Sequence, residues 1–160
     1  MDTKPADPRV VLVTGAARRL GAVIAARFHQ AGFNVVVHCN DSLVQAGQVA
    51  GEFNRARKNS AMVLQADLSL DHDVSRLAEQ ARNVWGRINV IVNNASGFYA
   101  TPLDVVTPGN WDHLIDSNLR GAFFLCQQLA GTLKETGGTI VNVVDIYAEQ
   151  PKRHYPVYSI

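Results

Sequence analysis

A glycine-containing turn near the start of the chain has the residue types that bind phosphate. The stretch "TGAARRLG", Thr14 to Gly21, separates a β-branched apolar run from a segment of helical periodicity. A glycine turn that leads into a helix presents free backbone N–H groups and the positive end of the helix dipole, and both attract a pyrophosphate. Gly15 would permit the tight turn, and Gly21 would permit close approach of the helix to the strand. Plain chain reversal uses the same residues, so the turn alone does not decide the function.

A carboxylate and a phenol stand near the other end of the chain. Asp145 ends the apolar run "TIVNVV", and Tyr158 follows Asp145 by thirteen positions. An acid at a strand end can accept a hydrogen bond from a ligand and pass on a proton. It can also do no more than bond neighbouring backbone N–H groups. These residues by themselves leave both interpretations open.

Composition argues against several classes of protein. The chain has 160 residues, 47% hydrophobic and 18% charged, with 15 Lys and Arg against 14 Asp and Glu. Because it lacks the basic excess of nucleic-acid-binding proteins, we expect no nucleic-acid partner. No apolar stretch approaches the roughly 20 residues that span a bilayer, and no secretory h-region opens the chain, so we expect no membrane association and a cytoplasmic location. Neither the cysteines, Cys39 and Cys126, nor the histidines have the spacing of a metal site.

The elements that must position these residues alternate along the chain. Apolar runs predict strands at 10–13, 33–38, 61–67, 88–95 and 139–145, and helical periodicity predicts helices at 20–31, 42–58, 70–85 and 108–133. Ser69 or Asp71 is expected to cap the third helix, and Thr107 and Pro108 to begin the fourth. Residues 1–9 are predicted to form a flexible tail. Residues 10–160 are then the N-terminal portion of a single domain.

Apolar strands joined by helices are typical of a parallel sheet with helices on both faces. This is the doubly wound α/β architecture. Ligands in such sheets bind beyond the carboxyl ends of the strands. The glycine turn and Asp145 both follow predicted strands, so we expect them at the same edge of the sheet.

Five motifs give the chain a resemblance to the short-chain dehydrogenase/reductases. In chain order they are Thr14-Gly15 with Gly21, Asp67-Leu68, "NNAS" at 93–96, Asn118, and Tyr158. Each stands at the expected strand end or helix, and together they span nearly all of the chain. The resemblance implies a Rossmann-like domain that binds a nicotinamide dinucleotide.

Two departures from the usual pattern narrow this resemblance. Arg19 stands where the glycine turn normally has its middle glycine, and Asp145 replaces the serine of the fifth strand. Together with "NNASGFY" at 93–99, they resemble the pteridine reductases, which reduce oxidised pterins, and in some members folates, with NADPH. The resemblance implies NADP(H) as cofactor and a pterin or folate as substrate. It also implies a homotetramer, because tetramers are common in the family.

The same resemblance implies a cofactor site. Arg18 would face the 2′-phosphate of NADP, and Arg19 would reach the pyrophosphate or the pterin through its planar guanidinium. The second strand ends in "HCNDS", with Asp41 and without the subfamily's arginine, so NAD(H) is kept as the alternative. His38, Asn40 and Ser42 can still hydrogen-bond phosphate oxygens. The implied cofactor-binding residues are Gly15, Arg18, Arg19, Leu20, Gly21, His38, Asn40, Ser42, Asp67, Leu68, Asn94, Ala95 and Ser96.

Reduction of a pterin C=N bond needs a hydride from the nicotinamide and a proton on the ring nitrogen. By resemblance Tyr158 would supply that proton, and a lysine four residues later, at position 162, would lower the pKa of the phenol from about 10. Asp145 would orient the pterin and assist its protonation, and Asn118 would hold a water or backbone link toward that lysine. Phe98 would stack on the pterin. The implied substrate-binding residues are Arg19, Ser96, Phe98, Asp145 and Tyr158.

Two other functions stay open at the level of sequence. One is a short-chain reductase of another carbonyl, such as a 3-oxoacyl thioester, although Asp145 stands in place of the hydroxyl that would bind that carbonyl. The other is a nucleotide-binding remnant or interaction module, which would follow if the natural chain ended at Ile160. We expect instead a longer protein of the family's usual size.

Overall fold

The computed structural model describes residues 7–160, and within them five strands form one parallel sheet. The strands are β1 (Val10–Val13), β2 (Asn34–Cys39), β3 (Ala61–Gln65), β4 (Val90–Asn93) and β5 (Thr139–Asn142). Their order is β3-β2-β1-β4-β5, and every neighbouring pair is parallel. The direction of winding reverses between β1 and β4, which is where doubly wound sheets bind ligands. The predicted α/β fold is confirmed.

Within residues 7–160, five α-helices connect and cover the strands. They are α1 (Arg19–Gln30), α2 (Leu43–Ala56), α3 (Asp71–Trp85), α4 (Pro108–Ile115) and α5 (Gly121–Thr136). The predicted last helix is therefore two helices, which a π-helical turn, Asp116–Arg120, joins. Such turns interrupt the regular backbone ladder and often lie at functional sites. No helix in residues 7–160 has the length and apolar character needed to cross a bilayer.

The residues of β1 face two different layers of the core. Val10 and Leu12 pack against the apolar faces of α3 and α5, whereas Val11 and Val13 pack on the opposite side with α1 and α2. All four are fully buried. Burying one such side chain stabilises the fold by about 1.5–3 kcal/mol, so a central strand that is covered on both faces is apolar throughout.

The fifth strand differs from its prediction. It ends at Asn142 instead of 145, and its last backbone bond to β4 runs from the Val143 N–H to the Asn93 carbonyl at 3.0 Å. It lies at the sheet edge with its residues exposed, Ile140 by 43%. Asp145 therefore lies outside the ladder, at the start of a 3-10 turn, Ile146–Ala148.

The predicted N-cap residue is confirmed for α4 but is wrong for α3. Thr107 caps α4 as predicted: its hydroxyl accepts the Asn110 N–H at 3.2 Å, and the Asn110 side chain accepts the Thr107 N–H at 3.0 Å. Neither expected residue caps α3, because Leu70 holds that position. Asp71 is the first helical residue and forms an ion pair with Arg120.

The structure describes only residues 7–9 of the predicted tail. Residues 1–6 of the predicted tail lie outside the described residues. Arg9 belongs to the fold, because its carbonyl accepts the Asn34 N–H at 2.8 Å and its guanidinium lies 4.3 Å from the centroid of the Phe33 ring.

Candidate active site

The turn between β1 and α1 depends on the absence of a side chain at two positions. Gly15 has a φ of 63°, a region that favours glycine. A Cβ at Gly21 would lie 2.2 Å from the Gly15 carbonyl oxygen and 2.6 Å from the Asn94 amide nitrogen. Gly21 thus allows α1 to approach the turn itself and the loop after β4.

Arg19 adopts an unusual backbone conformation at the start of α1. Its φ is 51°, in the left-handed region, although it carries a side chain. For an L-residue this costs about 1–2 kcal/mol. The middle-glycine position of the turn therefore keeps a conformation suited to glycine while presenting an exposed guanidinium.

The N-terminus of α1 is open to an anion. Its N-cap residue, Arg18, makes no side-chain capping bond, and the first turn contains no acidic residue. The first N–H groups of a helix have no partner within the helix, so these donors and the positive end of the dipole face the space above the sheet. This donor set fits the pyrophosphate of a dinucleotide.

A buried threonine joins this turn to the loop after β4. The Thr14 hydroxyl accepts the N–H groups of Asn94 and Ala95, both at 2.9 Å, and donates to the Val92 carbonyl at 3.3 Å. The Asn94 side chain donates to the Thr14 carbonyl at 2.9 Å. The two loops at the point where the winding reverses are therefore fixed side by side.

His38 has a different role from the one expected. Its Nδ1 accepts the Gly15 N–H at 3.1 Å, so Nε2 carries the proton and donates to the Ala66 carbonyl at 3.1 Å. The side chain is buried, and burial lowers the pKa of the imidazole to about 4. Both ring nitrogens are bonded within the protein, so His38 supports the glycine turn and does not offer a donor to a cofactor phosphate.

The remaining predicted cofactor residues line two adjoining clefts. The first, of about 350 Å³, lies over β1 and β2, and the second, of about 700 Å³, lies over β1, β4 and β5. The predicted residues around the first cleft are Gly15, Arg18, Asn40, Ser42, Asp67, Leu68, Ala95 and Ser96. Those around the second include Arg19, Leu20, Gly21 and Asn94, and both clefts share Gly15, Arg18, Ala95 and Ser96. The two adjoining clefts could therefore hold two connected parts of one elongated ligand.

The first cleft presents charges of both signs. Arg18 and Asp41 both line it without forming an ion pair, and both are exposed. Asp67 is held through its Oδ1, which accepts the N–H and hydroxyl of Ser69 at 2.9 and 2.7 Å. Leu68 is buried and belongs mainly to the core. The first cleft therefore offers both a cation and an anion to a ligand.

All five predicted substrate residues line the second cleft. They are Arg19, Ser96, Phe98, Asp145 and Tyr158. The Tyr158 hydroxyl donates to Asp145 Oδ2 at 3.1 Å, while Asp145 Oδ1 accepts the Tyr147 N–H at 3.1 Å. One oxygen of Asp145 thus bonds a neighbouring backbone N–H and the other bonds the phenol, and its role toward a ligand stays a prediction.

The surroundings of Tyr158 raise the pKa of its phenol. Burial raises the pKa of Tyr158, the Ser96 hydroxyl lowers it, and the hydrogen bond and charge of Asp145 raise it again, with a net increase. A phenol with a raised pKa is protonated at neutral pH, so Tyr158 can act as a proton donor. It would need a nearby cation to release that proton easily.

Asn118 bonds the loop instead of facing the chemistry. It lies in the π-helical turn, and its side chain donates to the Gly97 carbonyl at 3.0 Å and accepts the Gly97 N–H at 2.6 Å. Both ends of its amide are used by one residue of the loop that carries Ser96 and Phe98. Asn118, expected to hold a water or backbone link toward a lysine, therefore positions that loop through the backbone of Gly97.

The sequence interpretation missed an aromatic cluster around Phe98. The Tyr155 ring stacks on Phe98 at 4.6 Å with 10° between the planes, and the Tyr158 ring meets it edge-on at 4.8 Å. Tyr147 lies 6.3 Å from Phe98, and the Lys152 ammonium lies within 5.2 Å of three of these rings. Three tyrosines in twelve residues were the available signal.

Two further observations limit the site. Tyr99, adjacent to Phe98, packs toward α4, where its hydroxyl donates to the Asn110 carbonyl at 3.2 Å. Among residues 7–160, no three His, Cys, Asp or Glu side chains are grouped so that they could hold a metal ion.

Comparison with known proteins places this site in a family. The profile of the short chain dehydrogenases matches residues 9–160. The chain belongs to the short-chain dehydrogenase family. Its glycine turn, "NNAS" loop and tyrosine are thus the parts of a short-chain dehydrogenase that meet at one edge of the sheet.

Several curated proteins are similar in sequence to this chain, and the chain covers a different share of the length of each. Pteridine reductase 1 of Leishmania tarentolae is 36% identical to this chain over all of its length and 68% of the relative's. A short-chain dehydrogenase/reductase of Pestalotiopsis microspora is 34% identical over 84% of this chain, and versicolorin reductase stcU of Emericella nidulans is 31% identical over 96% of it. This chain spans 50% and 58% of the lengths of those two relatives.

Proposed function

We propose that this chain carries the reactive part of an NADPH-dependent pteridine reductase. The observation that carries the proposal is the 3.1 Å hydrogen bond from the Tyr158 hydroxyl to Asp145, beside the ring of Phe98. Similarity to pteridine reductase 1 of Leishmania tarentolae supports the same substrate class. A carboxylate bonded to a phenol and an aromatic platform suit a flat, nitrogen-rich ring better than a simple ketone.

The substrate would lie in the second cleft. A flat heteroaromatic ring on Phe98 gains about 1 kcal/mol from stacking beyond the apolar area that it buries. Asp145 would accept hydrogen bonds from ring N–H or amino groups, and Arg19 and Ser96 offer donors from the other side of the cleft. These contacts would hold the ring near Tyr158.

The proton would come from Tyr158. Its raised pKa keeps the phenol protonated, and Asp145 holds its hydroxyl in place. As negative charge develops on the ring nitrogen, Tyr158 would give its proton to that nitrogen, and the resulting phenolate would be reprotonated from solvent through water bound at Asp145. Bound NADPH would supply the hydride.

The cofactor would extend across both clefts. The open N-terminus of α1 would bind the pyrophosphate, Arg18 and Ser42 the 2′-phosphate, and Asp67 the adenine. Asp41 opposes this preference, so we propose NADPH with measurable use of NADH. The homotetramer stays a prediction from the family resemblance.

Steady-state kinetics of the natural full-length protein test the proposal. NADPH and NADH are each offered with dihydrobiopterin, dihydrofolate and an acetoacetyl thioester. We expect pterin reduction to be fastest with NADPH. Greater activity on the thioester would contradict the substrate class and favour a 3-oxoacyl thioester reductase.

Two variants test the assigned residues in the same assay. Tyr158→Phe keeps the ring contacts but removes the proton donor, so kcat should fall about 10²–10⁴-fold. Asp145→Ser restores the usual hydroxyl of the family and should reduce pterin turnover while leaving NADPH affinity unchanged. Pterin reduction that was untouched by Asp145→Ser would show that Asp145 has no part in the reaction.

A further inference from the structure

The ammonium of Lys152 lies among the rings of the proposed substrate platform. Its Nζ is 4.7 Å from the centroid of the Tyr155 ring, 5.0 Å from Tyr147 and 5.2 Å from Phe98. At these distances the negative faces of the rings attract the cation. Phe98 is thus the common neighbour of the proton donor Tyr158 and of a fixed positive charge.

No acidic side chain neutralises this charge within residues 7–160. Lys152 is half-buried, and the described part of the chain places no carboxylate oxygen within 4 Å of its ammonium. Asp104 lines the same shallow groove as Lys152, and Glu149 is three residues away, but neither forms an ion pair with it. The neighbouring side chain Arg153 is exposed and adds positive potential.

A partly desolvated cation without a counter-ion favours an incoming anion. Contact with the rings has removed part of the hydration of Lys152, and a carboxylate would replace those lost interactions with a charge-assisted hydrogen bond. The rings restrict the lysine stem, so less side-chain entropy is lost when the anion binds. Flat substrates that carry a negative side arm gain most from this arrangement.

We propose that Lys152 is a specificity-determining residue that favours flat substrates with a carboxylate on a side arm. The proposal rests on the proposed function, because it takes Phe98 as the stacking platform. Conjugated pterins such as folates carry such carboxylates, whereas biopterin has an uncharged side chain. Lys152 therefore shifts the preference of the site toward the conjugated form.

Equilibrium binding to the full-length protein with NADP⁺ measures this preference without catalysis. Folic acid and biopterin are titrated separately by fluorescence, at low and at high sodium chloride. Lys152→Met keeps an apolar stem against the rings but removes the charge. We expect it to lower the ratio of folic acid affinity to biopterin affinity about tenfold at low salt, and to abolish most of the salt dependence of that ratio.

Two further variants serve as controls. Lys152→Arg keeps a cation over the rings and should retain the preference. Arg153→Met removes the adjacent exposed charge, which makes no contact with the rings of the described residues, and should leave the ratio unchanged. A wild-type protein without a preference for folic acid would overturn the proposal. An unchanged ratio in Lys152→Met, or an equal loss in Arg153→Met, would also overturn it.

Two other outcomes separate this proposal from neighbouring ones. Tighter binding of both ligands to Lys152→Met would mean that the lysine obstructs the rings, and the proposal would then be wrong. A preference that depended on Lys152, in a protein that reduced neither ligand's dihydro form with NADPH, would support the specificity role. That result would contradict the proposed function alone.

Discussion

The N-termini of α1 and α4 are built in opposite ways. At α4 the Thr107 hydroxyl accepts the Asn110 N–H, the Asn110 side chain accepts the Thr107 N–H, and Pro108 has no N–H that needs a partner. At α1 no side chain caps the helix, a glycine turn precedes it, and its second residue after the cap, Leu20, lines the larger cleft. Both starts face solvent, but only α1 leaves its donors for another molecule.

The two helix starts therefore serve different purposes, one the stability of the fold and the other the binding of a ligand. The capped start of α4 contributes to folding, and we expect it to have no part in cofactor affinity. The open start of α1 gives up the stabilisation of a cap and holds Arg19 in a costly conformation. Such local costs are typical of sites that bind a ligand.

The largest effect should come from a methyl group at Gly21. In Gly21→Ala, the Cβ would lie 2.2 Å from the Gly15 carbonyl oxygen, so the turn must move. We expect a loss of about 3 kcal/mol in the free energy of unfolding, together with loss of NADPH binding. Urea unfolding and fluorescence titration measure these two quantities.

Gly47→Ala is the matched control for that substitution. Gly47 lies in the exposed face of α2, and a Cβ there would meet nothing within 4 Å. We expect a gain of about 0.5–1 kcal/mol in stability and unchanged NADPH affinity. Equal effects of the two substitutions would refute the steric role of Gly21.

The second prediction concerns pH: the free energy of unfolding should fall at acidic pH because His38, which supports the α1 turn, is buried in its neutral form. Burial lowers the folded-state pKa of His38 to about 4, against about 6.5 when unfolded, so below pH 6.5 the unfolded chain binds the extra proton. Above pH 6.5 the titration of His38 does not reduce the free energy of unfolding. That free energy should be lower by about 2 kcal/mol at pH 5 and by about 3 kcal/mol once the pH is below 4.

Urea unfolding between pH 7.5 and pH 4.5 measures this loss. His38→Gln should remove most of the pH dependence, whereas His72→Gln, at an exposed position of α3, should keep it. A wild-type protein that was equally stable at pH 7.5 and pH 5 would show that His38 is not held neutral in the fold.

The third prediction concerns the capped start of α4. Thr107→Ala removes the hydroxyl that accepts the Asn110 N–H, so the free energy of unfolding should fall by about 1 kcal/mol. NADPH affinity should stay unchanged, because α4 does not present free donors to the clefts. Thermal unfolding and cofactor titration check both parts. A tenfold loss of NADPH affinity would erase the contrast between the two helix starts.

The smallest effect should come from Arg19→Gly. Glycine relieves the left-handed conformation but gains freedom in the unfolded chain, so we expect a net stabilisation below about 1 kcal/mol. The same substitution removes a guanidinium from the larger cleft and should weaken substrate or NADPH binding. Denaturant unfolding and affinity titration together test it; a marked loss of stability would mean that the arginine side chain supports the turn.

Local sequence patterns predicted much of the fold and part of the site. The central strands follow from their uninterrupted apolar runs, and Thr107 follows from its capping residues. The limits of β5 did not follow, because "TIVNVVD" reads as one apolar strand while the ladder stops once β4 ends. An apolar run indicates extended backbone, but the length of the neighbouring strand sets where pairing stops.

The roles of individual polar residues were harder to predict than their location. His38 lies near the end of β2, Asp145 follows β5, and Asn118 lies in the π-helical turn. Two of them bond the backbone of other loops, at Gly15 and Gly97, and only Asp145 reaches the phenol. Sequence spacing places a residue at a strand end, but it does not indicate which distant backbone group its side chain will meet.

The sequence by itself determined the strands, the helices between them and the glycine turn, because apolar periodicity and turn residues are local properties of the chain. Only the tertiary structure decided that His38 is a buried, neutral support, that Asn118 holds the loop, and that Lys152 lies among aromatic rings. These contacts join residues far apart in the chain or across an irregular turn. They exist because packing brings loop ends together at one edge of the sheet, and no local pattern encodes that meeting.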